Sequence, residues 1–153
     1  MAFRFRLERV LSVRRSEEEE AERRHAEARQ ARARAVAVLE RARAALVRAH
    51  ERLDDLKRSG ELTSEDLYLH ASHVAGLRRR VEEAGQEVRT ADARVQETHQ
   101  ALLEAHQARE ALEKLREREE TRWREAERRR ETRVLDEIAL SRRSAGEEER
   151  HGQ

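Results

Sequence analysis

Apolar side chains recur in alternating steps of four and three along most of the chain. From Leu7 the steps pick out Leu11, Arg14, Glu18, Ala21, His25, Ala28, Arg32, Ala35, Leu39, Ala42, Leu46, Ala49, Leu53 and Leu56. The mean spacing of about 3.5 residues is the heptad period of a left-handed coiled coil. Ala35 to Leu56 is apolar at every step. Arg14 to Arg32 places Arg, Glu and His on the same line, so a weaker or splayed coil is expected there. A second line begins near Leu67 and is clear from Val74. It runs through Leu77, Val81, Ala84, Val88, Ala91, Val95, Thr98, Leu102, Ala105, Arg109 and Leu112.

Between the two lines lies KRSGELTSED, residues 57–66. Gly60 can adopt the left-handed conformation that ends a helix, and Lys57 and Arg58 suit the negative end of the helix dipole. Thr63 or Ser64 can cap the next helix, with Glu65 and Asp66 in its first turn. A connection this short joins antiparallel neighbours. The pattern therefore predicts one all-α domain, a long two-helix antiparallel coiled-coil hairpin. Helix one covers about 4–58, the turn 59–65 and helix two about 66–143, with a frayed tail at 144–153. Gly76 and Gly85 fall off the line inside helix two, where each costs about 1 kcal/mol relative to Ala; local softness is expected, not a break.

A turn centred on residues 62–63 places Leu56 opposite about Leu69 and Leu7 opposite about Arg118. At about 1.5 Å per residue the paired rod is roughly 75 Å long. Beyond about Glu119 the second helix has no partner in the first, so a C-terminal helical overhang is predicted. It carries Trp123, Val134, Leu135, Ile138 and Leu140. Large apolar residues on an unpaired helix need another surface.

Composition supports this reading. The 153 residues include no proline and 5 glycines, 44% are charged and 3% aromatic. Such a chain fills a thin helical seam but not a compact core. Disorder is disfavoured because 34 basic and 33 acidic residues nearly cancel and can pair along helix surfaces. Residues 1–58 hold 16 Lys/Arg against 11 Asp/Glu and residues 59–153 hold 18 against 22, an asymmetry that draws the helices together and could steer an acidic partner. There is no cysteine, no apolar run of membrane-spanning length and no signal-peptide core at the start. A cytoplasmic protein is expected.

Candidate chemistry is sparse. A two-helix rod has no pocket in which to desolvate its many carboxylates, and neither a phosphate-binding glycine loop nor a nucleophile motif occurs. No catalytic, cofactor-binding or metal site is expected, and no small-molecule substrate. His70 and His73 have a spacing that can serve a metal, as polar helix residues near a tip often do by accident; His99 and His106 read the same way. Glu17–Glu20 is distributed around the helix and cannot converge on one ion. The runs Arg78–Arg80 and Arg128–Arg130 lie among glutamates, and aromatic interleaving for base stacking is lacking; no nucleic-acid partner is expected. Phe3 and Phe5, alternating with Arg4 and Arg6, are either a packing staple or a docking tip.

Three segments resemble one family. They are the opening Phe3-Arg-Phe-Arg-Leu-Glu-Arg-Val-Leu11, the stretch from Ala101 to Arg118, and the stretch from Arg130 to Ala139. Together they are similar to the flagellar type III export protein FliJ family. That resemblance implies a stalk-like coiled coil that binds the flagellar export ATPase ring. It also implies contacts with the cytoplasmic domain of the export-gate membrane protein and with export chaperones, at the inner face of the cell membrane. Under it the apolar face of the overhang is buried by the ATPase ring or by the N-terminal segment, with Phe3, Phe5, Leu7, Leu11, Trp123, Leu135 and Ile138 as the residues buried there and Arg4, Arg6, Arg130 and Glu137 as polar contacts. A stalk protein of virulence-type secretion and a coiled-coil scaffold unrelated to export are the alternative readings.

Overall fold

The structure is a computed structural model that describes residues 1–152. Two helices account for nearly all of it, α1 at Glu8–Ser59 and α2 at Ser64–His151. Among the described residues there is no strand. The chain is an all-α helical hairpin.

The turn forms as its chemistry dictates. Gly60 takes a positive φ of 72°, which costs glycine little and other residues more. The Ser59 hydroxyl donates to the Leu56 carbonyl at 2.8 Å, satisfying an acceptor that the helix end leaves open. Thr63 is the cap of α2. Its hydroxyl accepts from the Asp66 amide at 3.1 Å, and the Asp66 carboxylate accepts from the Thr63 amide at 3.1 Å. This reciprocal box satisfies two donors at once. It also holds the Asp66 carboxyl below its ordinary range, first through the Thr63 backbone N–H and then through the Thr63 side chain.

Contacts divide the chain into two units, Ser16–His106 and Met1–Arg15 with the chain from Gln107 onward. In the first unit Ala49, Val74 and Leu77 are buried together, with Ala45 and Leu46 packed on them. Ala28, Leu39, Ala84 and Thr98 are buried too. The antiparallel register is read from the cross-helix pairs. His50 meets His70 with ring centroids 6.1 Å apart, Arg32 pairs with Asp92, His25 with Thr98, and Glu18 with His106 at 3.3 Å. From Val74 to Thr98 every position on the second apolar line is at least half-buried.

The polar stretch of α1 is closed, not splayed. Ala28 and Thr98 are buried, and the His and Glu on the line are engaged by α2 side chains. Polar groups on a seam are tolerated when each finds a partner. Near the turn the pattern fails in the other direction: Leu56, Leu67, Tyr68 and Leu69 are exposed. Packing in α2 therefore starts about two turns later than Leu67. Gly76 and Gly85 interrupt nothing, since α2 runs through both. α2 also continues through Ser144 to His151, where the pattern suggested fraying.

Two neighbouring substitutions should move stability in opposite directions. Leu77→Ala empties a buried site and should cost about 2–4 kcal/mol. Gly76→Ala adds a methyl group where nothing lies within 4 Å and should gain about 0.5–1 kcal/mol. Urea unfolding followed by helical circular dichroism measures both. The cap generates a pH signature. Because the folded state lowers the Asp66 pKa, its contribution is fully present above about pH 4 and is lost as pH falls through the depressed value. The stability gap between wild type and Asp66→Ala should be constant at neutral pH and shrink below about pH 4; a gap that widens in acid contradicts the cap.

Candidate functional site: the N-terminal strap and the C-terminal stretch of α2

Residues 1–7 precede α1, whereas the seam pattern placed the start of helix one near residue 4. Their own pattern explains this. Phe3, Phe5 and Leu7 alternate with Arg4 and Arg6, a period of two, which belongs to extended chain and not to helix. The burial follows the alternation. Phe3 and Leu7 are half-buried and Phe5 is buried, while Arg4 and Arg6 are exposed. The strap hands over to the helix through the Glu8 amide, which donates to the Phe5 carbonyl at 3.2 Å.

Within this unit the strap and the first turns of α1 lie along α2. Glu8 faces Arg116 Nε at 3.2 Å and Arg15 reaches Glu113 at 3.3 Å. Such partly exposed pairs each contribute at most about 1 kcal/mol, so they fix register more than they stabilise. Leu11 is fully buried at 0% exposure and Phe5 is at 7%. The Phe3 ring lies 6.1 Å from the half-buried Trp123 ring, tilted by 49°, a separation at which an aromatic pair adds about 0.5–1.5 kcal/mol.

Past Trp123 the covering ends. Every residue from 128 to 152 is exposed. Val134 and Ile138 are one turn apart, and Leu135 lies three residues before Ile138, so the three share a face. Leu135 is 66% exposed and Ile138 43%. Arg130 is held by Glu127 of the same helix at 3.0 Å, and Glu137 is exposed.

The eleven residues that the sequence marks fall into three classes. Phe5 and Leu11 are buried. Phe3, Leu7 and Trp123 form a half-covered edge. Arg4, Arg6, Arg130, Leu135, Glu137 and Ile138 are open to contact. Val134 belongs with them, and its place one turn before Ile138 was the available signal.

The family model described as the flagellar FliJ protein matches residues 3–148, which takes in the strap, both helices and the exposed apolar face. The chain belongs to the FliJ family. No curated protein and no solved structure matches it. FliJ proteins are non-catalytic components of flagellar export. Among the described residues no helix is long and apolar enough to cross a membrane.

The lone tryptophan reports on the strap. Phe3→Ala should uncover Trp123, shifting its emission to longer wavelength and raising its quenching by acrylamide while helicity stays unchanged. Leu11→Ala should cost about 3 kcal/mol and loosen the strap as well, so both signals should change; unchanged tryptophan emission in both variants contradicts the packing.

Proposed function

We propose that this chain is a stalk-like coiled coil of the flagellar export apparatus. It binds the export ATPase ring and links it to the cytoplasmic domain of the export-gate membrane protein and to export chaperones. It works in the cytoplasm, held at the inner face of the cell membrane through the apparatus. Family membership supports a role in export. The observation that carries the binding role is the uncovered face of Val134, Leu135 and Ile138. Contiguous exposed apolar residues on a charged helix mark an interaction surface.

Helix-in-groove docking uses side chains one turn apart as anchors, and these three have that spacing. Arg4, Arg6, Arg130 and Glu137 lie beside the strap or the apolar face and supply the polar rim that tunes association more than affinity.

The test is a binding measurement with the purified export ATPase. Leu135→Asp with Ile138→Asp should weaken the complex at least tenfold, about 1.4 kcal/mol. Its melting temperature should stay near wild type, because exposed positions change stability by about 0.5 kcal/mol or less. Removing residues 124–153 should abolish binding and leave the hairpin helical. Full binding by the truncated chain overturns the proposal.

A further inference from the structure

His25 of α1 and His99 of α2 meet across the hairpin with ring centroids 5.5 Å apart and planes inclined by 44°. Beside them is Thr98, 4% exposed. The Thr98 hydroxyl has one proton, and it lies against the Arg94 and Val95 carbonyls at 2.9 and 3.0 Å. With the Thr98 proton on one of those carbonyls, the same oxygen accepts from the His25 Nδ1–H at 3.1 Å, and that tautomer leaves the Nε2 lone pair as a ligand.

This is the arrangement that prepares an imidazole to bind a metal: one ring N–H is given to an oxygen, which fixes tautomer and orientation, and the other nitrogen is left as ligand. The spacing fits as well. Imidazole nitrogens bind zinc at about 2.0–2.1 Å, so two rings on a tetrahedral ion have centroids roughly 5 Å apart. His50 and His70, at 6.1 Å, are wider. The nearby arginines are largely neutralised, since Arg23 and Arg24 are bound to Glu20 and Arg94 lies 3.3 Å from Glu97. Glu22 and Arg29 flank His25 by one turn on either side.

We propose that His25 and His99 form a two-imidazole site for a divalent transition-metal ion of the zinc class, with Thr98 as the positioning residue. Among the described residues no cluster of three or more His, Cys, Asp or Glu side chains forms, so water completes the coordination. A bound ion joins the two helices in the stretch of α1 whose seam is most polar.

The test titrates zinc chloride into the full chain without a histidine tag, in a His50→Ala background that removes the other imidazole pair. Calorimetry should give one ion per chain, and the melting temperature should rise with zinc. His25→Gln and His99→Gln should each abolish the binding while retaining wild-type helicity. Thr98→Val keeps the side-chain shape but removes the acceptor, and should weaken affinity about 10–100-fold. No zinc binding by the wild-type residues, retained binding in both glutamine variants, or one ion shared by two chains overturns the site. Undiminished affinity in Thr98→Val overturns the positioning role.

Discussion

Mutual burial of a narrow, alanine-rich seam is the interaction on which the structure depends. Within the Ser16–His106 unit neither helix has another surface to lie on. In the Ser16–His106 unit, α1 contributes Ala28, Ala49 and Leu39 to the buried set, and α2 contributes Val74, Leu77 and Ala84. Small side chains let two helices approach closely, but each buries little apolar area, at roughly 25 cal/mol for each Å² removed from water. Stability must therefore accumulate over many turns. The same economy excludes an enclosed chemical site, because two helices packed edge to edge have no third wall.

How much of this was legible follows from what each residue's neighbours decide. The heptad lines were readable because a two-helix seam forces the same spacing on every turn. They held from Val74 to Thr98 and through His25, where polar side chains sit on the line and find partners. They failed at Leu67 and Leu56. There the geometry is set by Gly60 and the Thr63 cap, not by periodicity. They fail again before Glu8, where the period-two alternation of Phe3, Phe5 and Leu7 belongs to extended chain ahead of the helix.

The candidate site was half legible. Sequence marks apolar residues that need covering, but it does not name what covers them. Phe5 and Leu135 look alike on that criterion. In the structure the first is buried by its own chain and the second is open. The distinction needs the position at which the strap stops, near Trp123, and no local signal in the sequence supplies it. The pairing of His25 with His99 is equally invisible along the chain, since their separation has meaning only once the register is known.

The register has a kinetic consequence in the Ser16–His106 unit. Residues beside the turn, such as His50 and His70, meet by closing a short loop, whereas Glu18 and His106 are separated by 88 positions. Loop-closure entropy rises with that separation, yet each pair is brought within reach once the pair nearer the turn has formed. The two helices are thus built to join progressively from Gly60 outward, each step costing little more than the ordering of one further turn.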